Sequence, residues 1–156
     1  MESKRTDLRA HNLRVLVVED HEDTAASLAM LLRLYGHVVE VAADGASAFR
    51  AVQASPPDVV LLDIGLPKMD GWLVAKQIRK NCNGKRPLIV AVSGYGTQAD
   101  KLRSQEAGID LHLLKPVAPA ELEDLLKQLE GVVIDTAEPR SIPNRQASFA
   151  ARRQTT

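Results

Sequence analysis

Short apolar runs alternate with longer amphipathic segments five times along the chain. The runs are rich in valine, isoleucine and leucine and occupy residues 13–18, 38–42, 58–63, 87–92 and 111–115. Runs of this length and composition are typical of β-strands. Three of them, at 13–18, 58–63 and 87–92, are almost continuously apolar, as in a parallel sheet with helices on both faces. The pattern therefore predicts five βα units arranged as a three-layer α/β sandwich.

The segments between the runs predict helices. Leu28, Leu31, Leu32 and Tyr35 fall on one helical face, and Gly36 follows where a C-cap glycine is expected. The last helix repeats this leucine spacing, and we expect it to end at Gly131. The remaining helices are predicted from weaker patterns over 45–54, 71–80 and 97–107.

These patterns bound one domain over residues 13–131. A polar extension, residues 1–12, precedes it. Residues 132–156 mix prolines, small polar residues and arginines without periodicity, so we expect a disordered tail or a linker.

Charge and cysteine content exclude several classes of protein. The 156 residues contain 20 Lys and Arg against 20 Asp and Glu, so no overall field favours nucleic acid or an anionic membrane. The single Cys82 excludes an internal disulfide. We also find no apolar run long enough for a membrane span and no signal peptide. The sequence predicts a soluble cytoplasmic protein that binds neither nucleic acid nor membrane.

Polar side chains follow four of the five predicted strands. Glu19 and Asp20 follow the first, Asp63 ends the third, Ser93 follows the fourth and Lys115 ends the fifth. Parallel sheets bind ligands at the carboxyl ends of their strands, and a strand order of 2-1-3-4-5 would bring these groups into one pocket. Three carboxylates so close together raise one another's pKa, and a divalent cation resolves the conflict. Oxygen ligands suit Mg²⁺ or Mn²⁺.

As a set, these residues resemble the receiver domain of two-component response regulators. The resemblance covers residues 13 to about 130 and rests on four features: the acidic pair Glu19–Asp20, the segment "LLDIGLPKMDG" around Asp63, Ser93, and the Lys115–Pro116 pair. It implies a flavodoxin-like, doubly wound fold with sheet order 2-1-3-4-5. The Lys115–Pro116 bond is then expected to be cis.

The resemblance also implies a role for each residue. Asp63 is expected to take a phosphoryl group from a histidine kinase or a histidine phosphotransfer protein. Glu19, Asp20, Asp63 and the backbone carbonyl of Gly65 are expected to hold Mg²⁺ or Mn²⁺. Lys115 would balance the phosphoryl charge, and Ser93 would hydrogen-bond a phosphoryl oxygen and act as a switch residue. No other cofactor is implied, and no enzymatic activity beyond autophosphorylation and autodephosphorylation.

His112 departs from the family pattern, which often has Tyr or Phe three residues before the lysine. Two interpretations stay open. In one, the His112 ring moves inward on activation and has a depressed pKa in the phosphorylated state. In the other, it is a half-exposed strand residue with no switching role.

The family usually signals through an output domain, and no helix-turn-helix pattern follows residue 131. We therefore expect a stand-alone, chemotaxis-regulator-like receiver or one excised from a hybrid histidine kinase. Its output partner would dock on helix 4, strand 5 and helix 5.

Two alternatives use the same architecture. A phosphohydrolase of the haloacid dehalogenase class also has a strand-end aspartate and Mg²⁺, but it needs an acid two residues later, where this chain has Gly65. A flavodoxin-like cofactor binder is disfavoured by the segment "EDHED" at 19–23, whose negative charges would repel a flavin phosphate.

Overall fold

The computed structural model describes residues 12–65, 70–82, 84–94 and 96–134. Residues 1–11 of the predicted extension and 135–156 of the predicted tail lie outside this part of the chain. The strands are Arg14–Val18 (β1), Val38–Ala42 (β2), Val59–Asp63 (β3), Leu88–Ser93 (β4) and Leu111–Leu114 (β5). They form a parallel sheet of order β2-β1-β3-β4-β5, as predicted. Each predicted strand boundary is correct to within one residue.

Helices connect the strands and cover both faces of the sheet. They are Glu22–Leu34 (α1), Gly45–Ala54 (α2), Gly71–Lys80 (α3), Gln98–Glu106 (α4) and Pro119–Ile134 (α5). The flavodoxin-like three-layer sandwich is therefore confirmed. None of these helices, in the described ranges, has the length and apolar character needed to cross a membrane.

The pleat of the strands sorts the core into two clusters. Side chains alternate between the faces of a strand, so Val15 and Val17 of β1 point to one side and Leu16 and Val18 to the other. The first side packs against α1 and α5, and the second against α2, α3 and α4. All five residues of β3 are buried, which explains why this run is apolar except at its last position, Asp63.

Two glycines that the sequence predicted as helix ends behave differently. Gly36 has a φ of 95°, and its N–H donates to Arg33 O while the N–H of His37 donates to Leu32 O, which closes α1 as predicted. The helix α5 instead continues through Gly131 to Ile134, so the predicted boundary at 131 is wrong by three residues. Glycine weakens a helix by about 1 kcal/mol relative to alanine, which is not enough to end one.

Candidate functional site

A cavity of about 930 Å³ opens at the carboxyl ends of β1, β3 and β5. The order of the sheet reverses at β1, which lies between β2 and β3, so this is the edge where ligands of such folds bind. Five of the predicted site residues line it: Glu19, Asp20, Asp63, Gly65 and Lys115. The parallel sheet thus assembles these residues from three separate loops.

Asp63 is the central acidic group of the cavity. It is only 5 % exposed, and both of its carboxylate oxygens accept hydrogen bonds. Oδ2 lies 2.6 Å from Lys115 Nζ, and Oδ1 accepts the backbone N–H of Gly65 at 2.9 Å. The Lys115–Pro116 peptide bond is cis, as the resemblance implied. Two donors therefore fix the orientation of a nearly buried carboxylate at the mouth of the cavity.

Glu19 is a second buried carboxylate beside Asp63. Burial is the main cause that raises its pKa, and the neighbouring Asp63 raises it further. The N–H of His21, which donates to Glu19 Oε2 at 3.2 Å, and the Lys115 charge act in the opposite direction. Asp20, next in the chain, is exposed. The two residues of the acidic pair therefore differ: one is buried and the other is free to meet a ligand from solvent.

The segment that follows the acidic pair has a role that the sequence did not predict. His21 is the N-cap of α1, because its Nδ1 accepts the backbone N–H of Thr24 at 3.3 Å. Capping at this position is unusual for histidine, which explains why the usual capping signals missed it. Asp23 in the first turn also lines the cavity, although its helix position alone suggested only a favourable interaction with the dipole.

Ser93 is not among the described residues that line the cavity. It ends β4 with its side chain buried, and its Oγ lies 3.1 Å from Nε2 of His112. The register explains the pairing: Ala91 is opposite His112, so Ser93, two residues along, shares its face of the sheet. That face is the one covered by α4.

His112 is half-buried in this arrangement, and burial lowers its pKa. Asp100 on α4 partly opposes this shift. His112 is thus a half-buried strand residue that contacts Ser93, and both interpretations of its role stay open.

The chemistry of the cavity fits a hard divalent cation. No group of three or more His, Cys, Asp or Glu side chains in the described ranges is arranged as a ligand set. Mg²⁺, however, needs only one or two carboxylates and keeps several waters. Glu19 and Asp63 are close enough to raise the Glu19 pKa, a repulsion that a cation would relieve. The full predicted set, with Asp20 and the Gly65 carbonyl, stays a prediction.

Comparison with known proteins agrees with the fold and with the cavity. Residues 15–127 match the response regulator receiver domain family. The transcriptional regulatory protein PrrA of Mycobacterium tuberculosis is 41 % identical over 116 residues, which are 74 % of this chain and 49 % of PrrA. The sensory transduction protein RegX3 of Mycolicibacterium smegmatis is 39 % identical over 108 residues, covering 69 % of this chain and 46 % of RegX3. The chain thus spans about half the length of these curated relatives.

Solved structures of receiver domains and related proteins have the same fold as this chain. One is the receiver domain of the sensor histidine kinase PA1611 from Pseudomonas aeruginosa, which has magnesium coordinated in its active-site cleft. It superposes on this chain with a TM-score of 0.69 at 32 % sequence identity. The match covers 77 % of this chain and 98 % of that domain. The chemotaxis protein CheY4 of Vibrio cholerae has a TM-score of 0.71 at 27 % identity, covering 76 % and 98 %. With its sheet order, its acidic cavity and these relatives, the chain belongs to the response regulator receiver domain family of two-component signalling proteins.

Proposed function

We propose that Asp63 is the phosphoacceptor of this receiver domain. One observation supports this most strongly: Asp63 is a nearly buried carboxylate at the end of an apolar strand, held by Lys115 and by the Gly65 amide, and it opens onto a cavity. A purely structural carboxylate would be expected to make its ion pair away from a ligand-accessible cavity. An aspartate oxygen attacks the phosphorus of a phosphohistidine, the P–N bond breaks, and the imidazole leaves with a proton from solvent.

Each neighbour has a distinct part in this transfer. Lys115 supplies a positive charge beside the phosphoryl oxygens once Asp63 is phosphorylated, and Ser93 donates a hydrogen bond to one of them. Mg²⁺, held by Asp20, Asp63, the Gly65 carbonyl and, through water, Glu19, would neutralise charge on the transferring group. Mn²⁺ suits the same oxygen ligands.

The phosphodonor in this proposal is a histidine kinase or a histidine phosphotransfer protein. The PA1611 domain is itself part of a sensor histidine kinase, which leaves open both a stand-alone receiver and one excised from a hybrid kinase. The output partner would dock on α4, β5 and α5. Our expectation that no nucleic acid is involved finds no support in the relatives, because PrrA is named a transcriptional regulator.

Autophosphorylation and autodephosphorylation are the only reactions that we assign to the chain itself. A haloacid dehalogenase-like hydrolase would need a general acid where this chain has Gly65. The Gly65 N–H instead donates to Asp63, which is a positioning contact.

Intact mass after incubation with acetyl phosphate and Mg²⁺ tests the proposal. We expect one added phosphoryl group on the wild type and none on Asp63→Asn. Asp58→Asn is the matched control, since Asp58 is a buried aspartate next to the other end of β3 and is paired with Lys85. Labelling that persists in Asp63→Asn would refute the assignment, and so would labelling that is equally efficient without Mg²⁺.

A further inference from the structure

The helix α4 has little apolar packing against the rest of the fold. All nine of its residues lie in the described part of the chain: Ser104 is buried, Asp100 is half-buried and the others are exposed. Its one leucine, Leu102, is 59 % exposed. The helix α3, which is only one residue longer, buries Val74, Ala75 and Ile78. Hydrophobic burial therefore contributes little to the attachment of α4.

Trp72 of α3 contacts α4 through both its N–H and its ring. The indole Nε1–H donates to Ser104 Oγ at 3.1 Å, so the buried residue of α4 is also hydrogen-bonded to α3. The guanidinium carbon of Arg103 lies 4.0 Å from the centre of the indole ring, which is a cation–π contact. Arg103 Nη2 also lies 3.5 Å from Asp70 Oδ2. One aromatic side chain thus binds two consecutive residues of α4.

The α3 side of this contact is firmly held. Asp70 caps α3, because its Oδ1 accepts the N–H of Trp72 at 3.0 Å and that of Leu73 at 3.2 Å. Gly71 packs so closely on β3 that a Cβ there would lie 2.9 Å from Ile64 Cα. The indole therefore projects from a helix start that is fixed to the sheet.

The ends of α4 allow it to separate from the sheet without disturbing the strands. Ala107 and Ile109, which follow the helix, are both buried and hold the chain before β5 begins. At the other end, Thr97 caps α4 by accepting the N–H of Asp100 at 3.2 Å, a contact within the segment itself. A helix of nine residues is too short to persist in water on its own. Separation of α4 would therefore expose its backbone amides to solvent.

We propose that Trp72 is a latch for α4, and that its release opens α4 as a local unit while the sheet stays folded. Segments with few buried apolar contacts open locally more readily than the core. Because the proposed output partner docks on α4, β5 and α5, the latch would set the fraction of molecules in which that surface is complete. The opening itself does not depend on the phosphoacceptor assignment.

Native-state hydrogen exchange of the full chain tests whether α4 opens locally. In the wild type we expect the amides of α4 to exchange faster than those of β3, which are exposed only by global unfolding. Equal protection of α4 and β3 would overturn the inference, since α4 would then open only with the whole fold. This measurement needs no variant, so it decides the matter even if a substituted chain fails to fold.

Two variants test whether Trp72 controls the opening. Trp72→Phe keeps a ring beside Arg103 but loses the N–H, so α4 amides should exchange about fivefold faster. Ser104→Ala removes the acceptor of the same bond and should have a similar effect, and the double variant should add little. Amides of α2, whose local opening leaves the latch intact, should be unaffected.

Leu73→Ala is the matched control, because Leu73 follows Trp72 in α3 and its side chain is 51 % exposed. It should leave α4 exchange within about twofold of the wild type. Exchange of α4 that Trp72→Phe leaves unchanged would overturn the latch. Such a result would not affect the assignment of Asp63, which acetyl phosphate labelling tests separately.

Discussion

The Lys115 ammonium nitrogen lies 2.6 Å from Asp63 Oδ2, in an ion pair between residues that are far apart in the chain. Asp63 is buried, whereas the Lys115 side chain is 42 % exposed. A similar pair lies beyond the opposite end of β3, where Lys85, with 41 % exposure, contacts Asp58. The strand therefore has a lysine–aspartate pair at each end, but only the Lys115 pair opens onto the acidic cavity.

The two lysine–aspartate pairs allow a controlled test of the role of Lys115 in phosphorylation. We expect Lys115→Ala to accept phosphate from acetyl phosphate about ten- to a hundredfold more slowly, because a cation beside the developing charge is lost. Beryllofluoride should no longer shift the amides of α4 and β5. Lys85→Ala removes an equally exposed lysine and should label at the wild-type rate. Wild-type labelling and shifts in Lys115→Ala would contradict its role.

Removal of Lys115 should also change the titration of Glu19. The Lys115 charge lowers the Glu19 pKa, so Lys115→Ala should raise that pKa further above its ordinary value. A carboxyl-detected NMR titration measures this directly. The control is Lys85→Ala, which should leave the Glu19 pKa unchanged. An unchanged Glu19 pKa in Lys115→Ala would mean that Lys115 is not a significant neighbour of this carboxylate.

A second pair of variants tests whether Asp20 is a ligand of Mg²⁺. Asp20→Ala removes an exposed carboxylate that lines the cavity, so we expect Mg²⁺ affinity to fall by about tenfold or more. Glu22→Ala removes another exposed acid, in the first turn of α1 and outside the lining of the cavity, and should have little effect. Titration of Mg²⁺ by NMR or calorimetry measures both. Equal affinities in Asp20→Ala and wild type would contradict the ligand assignment.

His37 predicts a pH dependence of stability that is unrelated to signalling. Its Nδ1 accepts the Leu13 N–H at 3.1 Å, and burial lowers its pKa, although Glu130 opposes the shift. The folded state thus favours the neutral ring. Its stabilising contribution is complete above the unfolded pKa of about 6.5 and decreases as pH falls toward the lower folded value.

Urea unfolding at about pH 7.5 and about pH 5.5 tests this expectation. The free energy of unfolding should decrease more for wild type than for His37→Asn, whose side-chain oxygen can replace Nδ1 as acceptor without titrating. His112 and Glu19 titrate in both proteins, so their contributions cancel in the comparison. Identical decreases in wild type and His37→Asn would show that His37 does not carry the effect.

We expect alanine substitutions at two glycines to change the stability of the fold in opposite directions. At Gly71, which begins α3, a Cβ would lie 2.9 Å from Ile64 Cα and 3.2 Å from Asp63 O, so Gly71→Ala should cost about 1–3 kcal/mol through overpacking. At Gly131 a Cβ would meet nothing within 4 Å, so Gly131→Ala should stabilise α5 by about 0.5–1 kcal/mol. Urea unfolding measures both. Destabilisation by Gly131→Ala would contradict its helical position.

The sequence pattern alone predicts the strands, and the resemblance to receiver domains adds the sheet order and the five residues that meet in the cavity. This was possible because parallel strands place their carboxyl ends at one edge, so that residues just after apolar runs must come together. Asp63 stands out because it follows the four apolar strand positions 59–62, and a charge at the end of such a strand has few explanations other than chemistry.

Tertiary structure decides how these groups pair. Three contacts depend on side-chain rotamers and on the lateral register of neighbouring strands. They are the ion pair of Asp63 Oδ2 with Lys115, the contact of Ser93 with His112, and the capping of α1 by His21. The sequence likewise could not show that α5 continues through Gly131, because a glycine is compatible both with a helix end and with a helix interior. Periodicity along the chain specifies which face a residue occupies, whereas the partner that it meets there comes from another strand or helix and is set only when the sheet is assembled.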